Sequence, residues 1–176
     1  MIVSLRAYSL LEKGIKYTKP EPPDFKIKHK KVELYIECAS AQFDFNAAPD
    51  KKKIYTKLKK TLISKMQKGY ANPETALFVD ITNLIFHANE MNEPLTSQEL
   101  KTILISANIQ VKAEQMFGLV AMFYFFSSRN SEGERYYHWK SCLYENASTN
   151  TELHNFITEN LINSPEGENL DFPRFH

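Results

Sequence analysis

The feature that most constrains this chain is a proline-rich segment followed at once by two alternating runs of apolar and polar residues. Pro20, Pro22 and Pro23 lack a backbone N–H group and exclude a helix at this point. The runs that follow, 24–27 and 32–40, alternate with the two-residue period of β-strands and flank a polar link. This pattern predicts a β-hairpin.

The predicted hairpin brings two acidic residues together. Asp24 lies at the start of the first strand and Glu37 near the end of the second, so an antiparallel turn near residues 29–30 places them close to each other. Alternation puts Glu37 and Ala39 on the same face of the sheet. Two carboxylates that converge on a sheet face suit Mg²⁺ or Mn²⁺, because such hard cations take oxygen ligands.

The rest of the chain predicts a mixed α/β fold. Helical spacing, N-caps and glycine stops predict helices over 2–13, 51–68, 96–109 and 151–162. Apolar, β-branched runs predict further strands over 15–18, 76–84, 119–127 and 136–144. The order is α-β-β-β-α-β followed by α-β-β-α, which indicates a central mixed sheet flanked by helices. The length predicts one domain, with residues 1–164 as a single α/β domain and 165–176 as a C-terminal tail.

The hairpin residues resemble the PD-(D/E)xK (restriction-endonuclease-like) nuclease superfamily. Pro23-Asp24 matches the PD element, and Glu37-Cys38-Ala39 stands where (D/E)xK is expected. The predicted order over residues 2–84, about half the chain, is similar to the core of that superfamily. The resemblance implies a magnesium-dependent (or manganese-dependent) endonuclease that hydrolyses phosphodiester bonds in DNA, or less readily in RNA. It implies as metal ligands the carboxylates of Asp24 and Glu37 and the backbone carbonyl of Cys38.

Position 39 departs from the superfamily pattern, because it holds alanine where a catalytic lysine is expected. Some members of such families supply the lysine from the following helix. On a wheel of about 100° per residue, Lys65 falls inside the apolar stripe of the helix over 51–68. That stripe consists of Ile54, Leu58, Leu62 and Met66.

A lysine that points at the sheet must extend to solvent or find a carboxylate, and Glu37 is the nearest expected partner. Lys65 is therefore the candidate catalytic lysine, and a lysine that merely extends to solvent is the alternative. Glu12, in the first predicted helix, is a further candidate metal ligand.

Residues 51–68 contain eight lysines and no acidic residue, although the net charge of the chain is only +1. A basic patch of this kind can follow a nucleic-acid backbone, and such binding weakens steeply with salt. The expected nucleic-acid-binding residues are Lys53, Lys57, Lys60 and Lys68. A solvated helix face is the alternative and more common explanation of such a cluster.

Composition narrows the remaining classes of function. Two cysteines without metal-ligand spacing argue against a disulfide framework or a structural zinc site and favour a reducing cytoplasm. The longest apolar run, of about ten residues, is too short to span a bilayer, so no membrane partner is expected.

Three interpretations stay open. The first is an active nuclease. The second, which Ala39 favours, is a nuclease-like domain that has lost catalysis and binds nucleic acid or protein. The third is an unrelated α/β protein in which the hairpin match is accidental. A homodimer or a partner protein is compatible with the first two.

Overall fold

The computed structural model describes residues 17–18, 22–29, 31–43, 50–133, 135–146 and 149–162. The strands are β1 (Tyr17–Thr18), β2 (Phe25–His29), β3 (Val32–Ser40), β4 (Thr75–Asp80), β5 (Leu119–Arg129) and β6 (Arg135–Glu145). The helices are α1 (Lys51–Met66), α2 (Thr82–Glu90), α3 (Ser97–Asn108) and α4 (Thr151–Ile157). A 3₁₀ turn, Ala113–Gln115, precedes β5, and a π-helical turn, Thr158–Ile162, continues α4.

The strands form a mixed sheet of six strands that lie in sequence order from β1 to β6. β1, β2 and β3 pair antiparallel, whereas β3, β4 and β5 run parallel and β6 returns antiparallel to β5. The parallel pairs are those whose strands are connected through helices, because a parallel return requires a crossover. The predicted mixed α/β class and the hairpin are therefore confirmed.

The sheet separates two hydrophobic layers. On one face, the predicted stripe of α1 is fully buried and packs with residues of β4, α2 and α3. On the other face, the apolar side chains of α4 pack against β2 and β3. Because residues alternate between faces along a strand, Leu34 and Ile36 face α4, and Glu37 belongs to the side of the sheet that α1 covers.

Side-chain caps determine where two of the helices begin. Asp50 Oδ1 accepts a hydrogen bond from Lys53 N at 2.7 Å, which satisfies one of the free N–H groups at the start of α1. Thr96 and Glu99 form the reciprocal capping box of α3, with N···O distances of 3.2 and 2.9 Å. Both helices thus begin where the sequence predicts.

The strand predicted over 76–84 is too long, and α2 is an element that the sequence prediction missed. β4 ends at Asp80, whose Oδ1 accepts a hydrogen bond from Thr82 N at 2.9 Å and turns the chain into a helix. The buried residues that follow repeat at helical spacing: they are Ile81, Leu84, Ile85 and Ala88. An apolar run alone does not distinguish a buried strand from a buried helix, which explains the error.

The predicted helix over 2–13, with Glu12, and most of the predicted C-terminal tail lie outside the described residues. The division at residue 164 therefore stays a prediction. In the described part of the chain, no helix has both the length and the apolar character needed to cross a bilayer.

Candidate active site

Asp24 and Glu37 meet at the open end of the β2–β3 hairpin. Phe25 and Ile36 form the last pair of the ladder, so Asp24, which directly precedes Phe25, lies next to Glu37. Asp24 N donates to Glu37 Oε2 at 3.3 Å, and Cys38 N donates to Asp24 Oδ2 at 2.8 Å. Each carboxylate thus binds the backbone of the strand that carries the other.

The β2–β3 ladder ends at the pair of Phe25 and Ile36, so Pro23 and Asp24 precede it. The backbone N–H group of Cys38 donates to the Asp24 carboxylate and not to a ladder partner. Pro23 has no N–H group, so it cannot extend the ladder as a donor.

Two donors converge on Glu37, one from the last turn of α1 and one from the turn that follows the helix. The Lys65 ammonium forms an ion pair with Glu37 Oε1, and Tyr70 Oη donates to the same oxygen at 2.8 Å. Glu37 is only 3% exposed, whereas 27% of the Lys65 side chain is exposed. The structure therefore pairs Lys65 with Glu37, the carboxylate that the sequence predicts as its nearest partner.

Tyr70 is the residue of this cluster that sequence reasoning missed. Burial has the largest effect on the pKa of the Tyr70 hydroxyl and the hydrogen bond to Glu37 the next largest, and both raise it. The hydroxyl therefore stays a protonated donor over the ordinary pH range. Tyr70 lies in the turn after α1, where side-chain direction follows no period. Its place directly after Gly69, the predicted end of the helix, was the only local signal.

The oxygen atoms of this cluster are of the kind that hard cations take as ligands. A carboxylate offers about four acceptor positions, and Glu37 uses three of them on Lys65, Tyr70 and the Asp24 amide. Asp24 is exposed and accepts one hydrogen bond through Oδ2. Among the described residues no three His, Cys, Asp or Glu side chains are gathered for a metal ion. A cation here would use two carboxylates, the Cys38 carbonyl and water.

The side chains of Cys38 and Ala39 pack in the hydrophobic layers on the two faces of the sheet. The Cys38 thiol packs on the face opposite Glu37, and burial raises its pKa, so only the main chain of Cys38 reaches the site. Ala39 packs against the core under α1. Position 39 is thus apolar, and the positive charge beside Glu37 comes from α1.

The four lysines predicted to bind nucleic acid lie at different distances from this cluster. Lys57 lies about 80° from Lys65 around α1, whereas Lys53 and Lys60 lie about 120° and 140° away. Lys68 lies in the turn after the helix and is exposed. Of the three lysines of the set that lie within α1, Lys57 is therefore the closest in angle to Lys65.

Comparisons of this chain with protein-family models, with curated proteins and with solved structures found no match. The contacts of Asp24, Glu37, the Cys38 backbone, Lys65 and Tyr70 define the candidate active site.

Proposed function

We propose that this protein is a magnesium- or manganese-dependent endonuclease of the PD-(D/E)xK type, which hydrolyses phosphodiester bonds in DNA or, as the second choice, in RNA. The observation that supports the proposal is the convergence of Lys65 on a buried Glu37 opposite Asp24. Paired carboxylates can hold a metal ion, and a nearby lysine can stabilise the charge that develops on a phosphate.

Each residue of the cluster has a distinct role in this proposal. Asp24, Glu37 and the Cys38 carbonyl hold the cation, which when bound lowers the pKa of a water and polarises a phosphate oxygen. Lys65 balances the charge of Glu37 and stabilises the negative charge that develops on the phosphate. Tyr70 positions Glu37 through its hydroxyl.

A nuclease assay tests the proposal. Supercoiled plasmid, linear duplex DNA and single-stranded RNA are incubated with the protein in Mg²⁺ or Mn²⁺, beside Asp24→Asn, Glu37→Gln and Lys65→Met variants. Glu33→Gln is the matched control, because Glu33 lies on the same face of β3 but pairs with Lys26 at the surface. We expect cleavage by wild type and the control, and a loss of about 100-fold or more in the three site variants. Equal cleavage by all five proteins would indicate contamination and contradict the proposal.

A second candidate function is a nuclease-like domain that binds nucleic acid or protein without cutting. The saturation of Glu37 Oε1 by Lys65 and Tyr70, together with Ala39, favours this alternative. In that case oligonucleotide binding persists without cleavage and depends on Lys57 and Lys60 more than on Glu37. Binding measured with Lys57→Ala/Lys60→Ala and with Glu37→Gln therefore separates the two functions.

The proposed location is the cytoplasm, because both cysteines are free thiols, as a reducing compartment requires. DNA is the proposed partner, and either function is compatible with a homodimer or with a partner protein. Light scattering with and without an oligonucleotide measures the stoichiometry directly.

A further inference from the structure

A groove of about 510 Å³ lies between α1 and α3, separate from the Glu37 cluster. Its α1 wall carries Lys51, Lys52, Tyr55 and Lys59, and its α3 wall carries Glu99 and Ile103. We call it the α1–α3 groove. None of its lining residues belongs to the four lysines predicted from the sequence to bind nucleic acid.

The groove lies on the side of α1 that faces away from Lys57. Lys52 and Lys59 are seven residues apart, so they lie within about 20° of each other around the helix and about 10 Å apart along its axis. Lys57 lies about 160° from Lys59 on the same helix. The two lysines of the groove therefore form a track of their own, long enough to span about three nucleotide steps of a strand.

The charges in the groove are unequally compensated. Lys51 Nζ lies 2.8 Å from Glu99 Oε1, and Tyr55 donates to the same carboxylate. The bond from Lys51 has the largest effect and the bond from Tyr55 the next, and they lower the pKa of Glu99 to about 2. Glu99 is therefore ionised and balances the charge of Lys51. Among the described side chains, Lys52 and Lys59 form no ion pair. The groove thus keeps two cations without a balancing carboxylate.

The remaining walls supply few hydrogen-bond donors. The hydroxyl groups of Thr56, Thr102 and Ser106 donate to carbonyls of their own helices at 2.8–2.9 Å. The floor is apolar, because Ile103 is 4% exposed. Among the described residues that line the groove, Lys52 and Lys59 therefore offer free donors, and an ammonium group recognises negative charge without a fixed geometry.

We propose that the α1–α3 groove binds the phosphate backbone of a nucleic acid, as a contact separate from the Asp24–Glu37 cluster. The inference rests on the proposed function, since it treats the bound strand as the substrate. Two uncompensated lysines at nucleotide-scale spacing complement a polyanion, and contacts of this kind position a strand without reading its sequence. The groove adds affinity and orientation to the substrate, while the cluster under α1 carries out the reaction.

Fluorescence anisotropy tests this inference with a labelled 20-mer, as duplex DNA and as a single strand, in EDTA and at several KCl concentrations. Lys52→Ala/Lys59→Ala is compared with Lys101→Ala/Lys112→Ala, a control that removes the same charge from exposed positions outside the groove. We expect the groove variant to bind about 10-fold more weakly and to lower the slope of log K against log[KCl] by about 1.8 for the duplex. The control should bind within about twofold of wild type.

Equal affinities and equal salt slopes for the groove variant and its control would overturn the inference. Failure of the wild type to bind any oligonucleotide would also overturn it and would point to an acidic protein partner. Thermal midpoints, together with a Lys52→Gln/Lys59→Gln variant, exclude unfolding as the cause of weak binding. If the groove variant binds more weakly but no protein cleaves, the backbone contact in the groove is supported and the nuclease activity is refuted. If wild type cleaves but the groove variant binds as tightly as wild type, the nuclease activity is supported and the backbone contact is refuted.

Discussion

At the scale of single residues, Glu37 shows how a buried charge constrains its surroundings. Its carboxylate is nearly inaccessible and accepts hydrogen bonds from Lys65, Tyr70 and the Asp24 amide. A buried ion pair adds little net stability, because desolvation offsets the Coulombic attraction, but removing one partner leaves an uncompensated charge. The pair therefore affects stability as well as the proposed reaction.

Lys65→Met should destabilise the protein by about 2 kcal/mol at neutral pH, because Glu37 loses its cation while the partial exposure of Lys65 limits the effect. Glu37→Leu/Lys65→Met should be less destabilised than Lys65→Met alone, because the double variant contains no unpaired buried charge. Urea unfolding measures both free energies. A double variant that is the least stable of the series would contradict this account of the pair.

Gly118 shows a backbone constraint of a different kind. A Cβ atom at this position would lie 2.0 Å from the Pro73 carbonyl oxygen. Because Gly118 N donates to Thr75 O at 3.1 Å, the two segments are held together and neither can easily move away. Gly118→Ala should therefore cost about 3 kcal/mol of unfolding free energy. Gly69→Ala is the matched control, because a Cβ there meets nothing within 4 Å. We expect a change of less than about 1 kcal/mol for the control, measured by urea unfolding.

The sequence predicted part of the candidate site at this scale. Asp24 and Glu37 follow from strand alternation around a short turn, and Lys65 follows from the helical period, because both patterns depend on local geometry. Tyr70 does not follow, because it lies in a turn between elements. The hydrogen bond from Cys38 N to Asp24 does not follow either, because it depends on how the segment before β2 lies against β3.

At the scale of elements, Glu99 joins two helices. It completes the capping box of α3 with Thr96, and its carboxylate also accepts from Lys51 and Tyr55 of α1. Burial, followed by the bond to Glu99, raises the pKa of Tyr55 to about 12, so the phenol stays a donor. One acidic side chain thus supports a helix start and a contact between helices.

Glu99→Gln should lower stability by about 1 kcal/mol at pH 7, because glutamine keeps the cap but loses the ionic partner of Lys51. The pKa of Glu99 is lowered from 4.5 in the unfolded chain to about 2, so its contribution is complete above about pH 4.5. The contribution disappears as the pH falls toward about 2. Urea unfolding of wild type and variant between pH 7 and 2.5 should show a converging difference. Glu114→Gln, at an exposed position, is the control and should follow wild type at every pH.

The elements themselves were largely predictable, and the exception is informative. Helices α1 and α3 were expected where they occur, because each combines a side-chain cap with an apolar period. The run from Thr75 to Ala88 contains both a buried strand and a buried helix, and hydrophobicity alone does not separate them. The turn at Asp80 separates the two elements through a single side-chain hydrogen bond.

At the scale of the whole molecule, the mixed sheet brings distant segments to one place. The antiparallel hairpin supplies both acids, and the crossover through α1 returns over the same face and brings Lys65 and Tyr70 onto Glu37. The same helix presents its other side to α3 and forms the α1–α3 groove. One helix therefore separates the proposed reaction site from the proposed backbone contact.

Cation binding should stabilise the whole domain if Asp24 and Glu37 hold the metal. At Mn²⁺ concentrations about tenfold above its dissociation constant, the stabilisation is about 1.4 kcal/mol, which corresponds to a rise of about 3–6 °C in thermal midpoint. Asp24→Asn should abolish the rise, and Glu33→Gln should keep it. Differential scanning fluorimetry with a Mn²⁺ titration measures the shift. An equal rise in wild type and Asp24→Asn would refute the metal assignment without reference to nuclease activity.

By itself, the sequence determined the hairpin, the starts of α1 and α3, the mixed α/β class, and the candidacy of Asp24, Glu37 and Lys65. These features follow from the spacing of apolar residues and from helix caps, which act over a few residues, so the sequence alone shows them. Only the tertiary structure decided that Tyr70 contacts Glu37, that Cys38 N donates to Asp24, and that α1 and α3 enclose a basic groove. Those relations join residues far apart in the chain, and they depend on strand register and helix packing, which no local pattern specifies.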